Sequence, residues 1–116
     1  MLAGPDRLRH GRDIDRVYRQ GRYGRGELLS VRVLRRGTVS KRAVVIVGKK
    51  VSKSAVVRNR IRRRLGAILA AEWQQIAAGC DIVVTVHVDA SMTKPEQLQQ
   101  DLTKALIGAG ALTKIN

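Results

Sequence analysis

An unbroken apolar run over residues 43–47 places the strongest constraint on how this chain folds. A strand with no polar position is typical of an interior strand that is covered on both of its faces. Gly48, a basic stretch over residues 49–53 and a helical pattern follow the run directly. The sequence therefore predicts a sheet that is layered against helices.

Apolar periodicity places five further elements around this strand. A helix begins near Asp13, where Ile14, Val17 and Tyr18 are spaced at i, i+3 and i+4. The predicted elements are helix 13–20, strand 27–35, strand 43–47, helix 56–76, strand 81–88 and a final helix opened by Pro95. At 116 residues the chain has the length of a single domain, residues 1–116, and the predicted class is a small α+β sandwich in the order α-β-β-α-β-α.

The positive charge of the chain is confined to its first part. The net charge is +14, with 23 Lys and Arg residues against nine Asp and Glu. Residues 1–64 carry 20 of those cations and four of the acids, a net of +16, whereas residues 65–116 have a net of −2. A surface of this kind attracts polyanions, and its binding weakens strongly as salt is added. We therefore expect the binding surface in the first part and mainly scaffold in the second.

Five arginines open the long helix, within residues 58–64. A cation in the first turns of a helix opposes the macrodipole and costs about 0.3–1 kcal/mol. Arg58 with Arg62, and Arg60 with Arg64, are also like-charge i,i+4 pairs, each unfavourable by about 0.2–0.5 kcal/mol. Charge runs are often only solvated faces, but this placement favours a polyanionic partner that supplies the missing negative charge.

Other functional patterns are weak in this sequence. Its acids, His10 and His87 form no recognisable acid/base or metal-ligand spacing, and Cys80 is the only cysteine. Residues 21–24 match the GxxG pattern of KH domains, but a strand follows and a plain turn is the better interpretation. The sequence contains no Phe and only three aromatic residues, too few for a base-stacking RRM or OB surface. Contacts should therefore be mainly to phosphates, with the partner recognised by shape.

Residues 47–63 resemble the signature of the bacterial ribonuclease P protein subunit, in which a strand and a Lys-Lys pair lead into a helix opened by Arg-Asn-Arg. The resemblance implies a small mixed sheet with a left-handed β-α-β crossover. It also implies binding to a catalytic RNA that removes the 5′ leader of precursor tRNA, with Mg²⁺ held by the RNA and the substrate. The catalytic groups are then expected in the RNA, and this chain is expected to hold no metal site of its own.

The same resemblance implies two groups of site residues. The residues expected to face the catalytic RNA are Lys49, Lys50, Lys53, Arg58, Asn59, Arg60, Arg62 and Arg63. The residues expected to line a cleft for the leader are Ile14, Tyr18, Leu29 and Val31. Ile14 and Leu29 stand where the family usually or often has Phe, so base stacking on the leader is expected to be weaker here.

Three other functions compete with this interpretation. A structural or ribosome-associated RNA-binding protein would carry a similar charge, and a DNA-binding protein could place the arginine helix in a major groove. The paired helices of a helix-turn-helix are absent from the pattern. A stand-alone nuclease is the least favoured, because no active site is recognisable. The sequence has neither the apolar stretch of a signal peptide nor a run long enough to span a membrane, so the cytoplasm is expected by default.

Overall fold

The computed structural model describes residues 2–113, which form one four-stranded sheet with helices on both of its faces. The elements are, in chain order, α1 (Gly11–Gln20), β1 (Arg22–Arg25), β2 (Leu29–Arg35), β3 (Arg42–Val47), α2 (Ala55–Glu72), β4 (Cys80–Val86) and α3 (Pro95–Gly108). The predicted α+β class and the order of its three helices and three longer strands are confirmed. The short strand β1 is an addition that the sequence pattern did not predict.

The sheet is mixed, with the strand order β1-β2-β4-β3. β2 is antiparallel to β1 and β4, whereas β3 and β4 are parallel neighbours that α2 connects. The hand of this crossover stays a prediction from the family resemblance. β3 lies next to β4 alone among the named strands and is not the interior strand that its apolar run predicted. The run is apolar because β3 packs on both faces, through Val44 and Ile46 on one side and Ala43 and Val47 on the other.

Two apolar clusters hold the layers together. The larger lies between the sheet and the helices α2 and α3, and it includes Leu29, Val31, Leu65 and Leu102, all of them fully buried. The smaller lies on the opposite face of the sheet, where Leu8 and Val17 pack on Val83 of β4. Within residues 2–113, the sheet therefore has one face packed against α2 and α3 and one face on which α1 is the only α-helix.

The first turns of α2 are fixed by local capping and by a buried stripe. Ser54 caps the helix, since its side-chain oxygen accepts a hydrogen bond of 3.3 Å from the backbone N–H of Val57. Ile61, Leu65 and Leu69 recur at helical spacing and are buried, so they hold this face of the helix against the core. The helix ends at Glu72 rather than at residue 76, and the 3₁₀ turn Trp73–Gln75 follows. No described helix is long and apolar enough to pass through a membrane.

Candidate nucleic-acid interface

The first turns of α2 and the turn before them form a basic surface, which we define by Lys49, Lys50, Lys53, Arg58, Asn59, Arg60, Arg62 and Arg63. The turn that leaves β3 is closed by a hydrogen bond of 3.1 Å from the N–H of Val51 to the carbonyl of Gly48. This turn leaves Lys49, Lys50 and Lys53 exposed beside the start of the helix. The eight predicted residues lie together. Seven of them are cationic, Asn59 is neutral, and the first turn of α2 contains no acidic residue.

Two arginines of the basic surface are oriented by uncharged oxygens. Arg58 donates to the carbonyl of Ser52 at 2.9 Å. Arg62 donates to the side-chain oxygen of Asn59 at 2.5 Å and to the carbonyl of Val47 at 3.4 Å. These contacts position the guanidinium groups but do not neutralise them, and each group keeps further N–H donors that a phosphate could engage.

Arg60 and Arg63 make no side-chain hydrogen bond or ion pair with any of residues 2–113, and both are exposed. The ion pairs of the described chain lie elsewhere and join Arg36 and Arg42 to Asp81 and Asp13. No carboxylate within residues 2–113 forms an ion pair with the basic surface. The surface is therefore an uncompensated positive field at the end of a helix that already carries partial positive charge.

Arg64 differs from the other arginines of the cluster. Its guanidinium donates to the backbone carbonyls of Ala90 at 2.8 Å and Ser91 at 2.7 Å, and also to that of Thr93. Three carbonyl oxygens from the loop between β4 and α3 thus converge on one side chain. Arg64 fastens α2 to this loop, and it turns away from the basic surface.

A second polar surface lies on the sheet face that α1 covers in part. α1 packs on β2 and β4 and makes no close contact with β1, so the β1 side of this face stays open. We call this region the open sheet face and define it by Tyr18, Tyr23, Arg32, Thr85 and His87, together with Ser30, which is buried beneath them. At its border, the hydroxyl of Tyr18 lies 2.8 Å from Oγ1 of Thr85.

Aromatic and cationic groups alternate across the open sheet face. Tyr23 of β1 pairs with Arg32 of β2, and the guanidinium carbon of Arg32 lies 5.0 Å from the centre of the Tyr23 ring. Arg25 donates to the Tyr23 hydroxyl at 3.1 Å, and this hydrogen bond is the largest cause that lowers the pKa of Tyr23. Beside them, Oγ of Ser30 lies 2.8 Å from Nε2 of His87. Cations, a ring and hydroxyl groups at this spacing suit a single nucleic-acid strand.

The cleft prediction is wrong for its two β2 residues, whereas a leader contact of its two α1 residues stays a prediction. Ile14 and Tyr18 lie on the helix that covers the cleft side of the sheet. Leu29 and Val31 are completely buried on the opposite face, in the larger apolar cluster, and cannot line a cleft beside α1. Because side chains alternate along a strand, the cleft side of β2 instead carries Ser30 and Arg32.

The sequence alone did not single out Tyr23 or Arg32, because Tyr23 lies in residues 21–24, which match a plain turn, and Arg32 lies within the predicted strand 27–35. The alternation in β2 places Ser30 and Arg32 on one face, but the same face also carries Leu34, so the pattern was only a partial signal. His87 belongs to no recognisable spacing in the sequence, and its contact with Ser30 places it on the open sheet face. Within residues 2–113, no three His, Cys, Asp or Glu side chains come together in a group that could hold a metal ion.

Known proteins resemble this chain in both sequence and fold. A family model described as Ribonuclease P matches residues 2–110. The ribonuclease P protein component of a Pseudanabaena strain is 41% identical over 113 residues, covering 97% of each chain, and that of a Picosynechococcus strain is 36% identical over 108 residues, covering 93% of each.

A solved structure of the Staphylococcus aureus RNase P protein superimposes with a TM-score of 0.82 at 25% identity, covering 93% of this chain and 98% of the other. The family match, the relatives and the fold agree with one another and with the basic signature at the start of α2. The chain therefore belongs to the ribonuclease P protein family, and its function is that of a protein component of ribonuclease P in tRNA 5′-leader processing.

Proposed function

We propose that the basic surface binds the catalytic RNA of ribonuclease P while the open sheet face holds the 5′ leader of precursor tRNA. The observation that carries the proposal is the uncompensated charge of the basic surface, where Arg60 and Arg63 lack any partner among residues 2–113. Arginine and lysine neutralise phosphates and release counterions, which is the main source of affinity for a polyanion. We also propose that the protein acts in the cytoplasm.

In this proposal the chain assists a reaction whose catalytic groups belong to the RNA. Mg²⁺ held by the RNA and the substrate would supply the metal-assisted hydrolysis of a phosphodiester. The cations of the protein reduce the repulsion between two RNA molecules that must approach each other closely. The benefit should be largest at low Mg²⁺ concentration, where fewer divalent ions are present to do the same.

The leader is proposed to cross the open sheet face from α1 toward β1. Arg32 and Arg25 provide cations for its phosphates, and the ring of Tyr23 provides a surface on which a base can stack. Tyr18 forms the border on the α1 side. Leu29 and Val31 have no part in this site, because neither has any surface exposed.

Reconstitution tests the first half of the proposal. The protein is added to a ribonuclease P RNA and precursor tRNA at low Mg²⁺, and cleavage is expected to be faster than with the RNA alone. The protein without RNA is the control and is expected to leave the precursor intact. Lack of stimulation, together with co-sedimentation with ribosomal particles, would instead favour a structural RNA-binding role.

Substrates that differ in leader length test the second half. Arg32→Ala is expected to weaken binding of a precursor with a long leader by about the value of one or two phosphate contacts, with little effect on mature tRNA. The control is Arg12→Ala, because Arg12 is an exposed arginine on α1 outside the open sheet face. Equal loss for both tRNAs, or for both variants, would remove the leader from this face.

A further inference from the structure

A cavity of about 420 Å³ lies between the N-terminal segment, β3 and α2, next to the basic surface. Seven of its eleven lining residues are apolar or glycine, and the other four are all arginines. The apolar part includes Leu2, Ala43, Val45 and Leu69, and the arginines are Arg7, Arg9, Arg62 and Arg63. Its volume falls within the range of about 300–1,000 Å³ that is usual for sites that bind small molecules.

The arginines give the cavity a charge that the described chain leaves unbalanced. Arg9 and Arg63 make no side-chain hydrogen bond or ion pair within residues 2–113, and both are exposed. Arg7 donates only to the carbonyl of Leu2, at 3.0 Å. No acidic residue lines the cavity. A ligand that fits should therefore combine an apolar body with an anionic group.

Gly66 keeps the α2 wall of the cavity open. Glycine in the middle of a helix destabilises it by about 0.5–1 kcal/mol relative to alanine. Packing does not explain this residue, because a Cβ built at Gly66 would have no atom within 4 Å. Gly24 provides the contrast, since a Cβ there would lie 2.0 Å from the carbonyl oxygen of Ala105. The absent side chain at Gly66 therefore leaves space that a ligand can use.

We propose that this cavity receives one unstacked nucleotide of the RNA partner, with its base against the apolar wall and its phosphate between Arg9 and Arg63. The proposal rests on the proposed function, which supplies the RNA. Proteins that read RNA commonly take up bases that have left the helix stack, and a bound base is held by burial as well as by hydrogen bonds. The cavity would then add a position-specific contact to a surface that otherwise binds phosphates without regard to sequence.

Filling the cavity tests the proposal without changing any charge. Gly66→Leu should lower the affinity for ribonuclease P RNA about tenfold, the usual order for the loss of one bound base. Gly66→Ala controls for helix propensity and should bind almost as wild type while melting at a slightly higher temperature. Ala67→Leu adds the same side chain at an exposed position of α2 outside the cavity and should also bind as wild type.

Probing of the bound RNA should identify the nucleotide. Wild-type protein is expected to protect one unpaired base from chemical modification, and Gly66→Leu is expected to expose it. An RNA that lacks this base should bind wild type and Gly66→Leu equally. Equal affinity of Gly66→Leu and Ala67→Leu for intact RNA would overturn the inference while leaving the proposed function in place, whereas failure of wild type to bind the RNA would end both.

A second variant keeps the test informative if Gly66→Leu folds poorly. Arg9→Ala should reduce the affinity for the RNA and make its salt dependence less steep, by the amount that corresponds to about one phosphate contact. Arg16→Ala is the control and should have less effect, because Arg16 is an exposed arginine of α1 that does not line the cavity. If Arg9 and the cavity hold one nucleotide, the effects of Arg9→Ala and Gly66→Leu should not add. Full additivity would place Arg9 on a different part of the RNA and count against the proposed site.

Discussion

Asp81 is a buried acid of β4 that forms ion pairs with two arginines. Its carboxylate is 2% exposed and accepts hydrogen bonds from Arg42 at 2.7 and 2.9 Å. Nε of Arg36 lies 2.9 Å from Oδ1 of the same carboxylate and forms a second ion pair. The hydrogen bond to Asp81 is the largest cause that raises the pKa of Arg42. Burial of a charge is tolerated only with such partners.

We expect Asp81→Asn to reduce the free energy of unfolding by about 1.5–3 kcal/mol, because the amide keeps the shape but removes the charge that both arginines need. Urea denaturation followed by circular dichroism measures the change. Asp15→Asn is the control, since Asp15 is an exposed acid with no ion pair among residues 2–113. Similar losses for the two variants would show that the buried pair has no special weight.

Cys80 predicts a dependence of stability on pH. Burial raises the pKa of its thiol, so the native state holds the proton more tightly than the unfolded state does. This contribution is complete below the unfolded pKa and is lost as the pH rises through the folded pKa. Wild type should therefore lose more stability than Cys80→Ala between neutral and strongly alkaline pH. Parallel stability curves for the two proteins would contradict the prediction.

At the scale of the element, α2 divides its arginines between two tasks. Arg60 and Arg63 are exposed and have no partner among residues 2–113. Arg64 donates to three carbonyls of the loop between β4 and α3. The sequence presents all five arginines as one cluster, and only the packing of the loop after β4 separates them. Under the proposed function, this division would allow the same helix to bind RNA and to hold the scaffold.

Replacing both Arg60 and Arg63 with alanine should weaken RNA binding and reduce the salt slope by about 0.7–0.9 for each lost phosphate contact. The fold should remain intact or become slightly more stable, because two cations leave the positive end of the helix dipole. Affinity measured over a series of salt concentrations tests this prediction. An unchanged slope would mean that these side chains do not touch phosphates.

Arg64→Met should behave in the opposite way and reduce the free energy of unfolding by about 1–3 kcal/mol, because it leaves three half-buried carbonyls without their donor. Methionine keeps much of the apolar stem, so the effect reports the lost hydrogen bonds. Arg60→Met is the matched control at an exposed position of the same helix. Thermal unfolding of both variants gives the comparison, and equal midpoints would reject the assigned role.

The helices and long strands could be predicted because their apolar residues follow a clear period. β1 could not, because Arg22–Arg25 is short and contains a glycine. Its position depends on tertiary contact, since Gly24 permits a close approach to Ala105 of α3. Local pattern gives no sign of such an approach.

The basic surface was predictable and the cleft only partly so. The density of charge in the sequence locates the basic surface, because predicting that these cations are exposed requires no information about packing. The cleft required knowledge of which face of β2 meets α1. Both alternating sets contain apolar residues, Leu29 and Val31 in one and Leu28 and Leu34 in the other, so alternation alone did not decide the side.

At the scale of the whole molecule, charge and scaffold are separated along the chain and in space. Seven cationic side chains belong to the basic surface. If all of them contact phosphates, log K for the RNA should fall with log salt at a slope of about −5 to −6. Titrations over a range of KCl concentrations measure it. A slope near −1 would show that the surface is mostly unused, whatever the affinity at one salt concentration.

The tie made by Arg64 has a mechanical consequence. Helix α2 carries the basic surface and, through Arg64, also holds the loop before α3. The farthest of the three carbonyls that Arg64 binds is that of Thr93, which lies 29 residues beyond Arg64 in the chain. A polyanion that clamps the opening turns of α2 would damp the movement of that loop without touching it. The second half of the chain, which carries three of the 23 cations, would thus respond to binding on the first half.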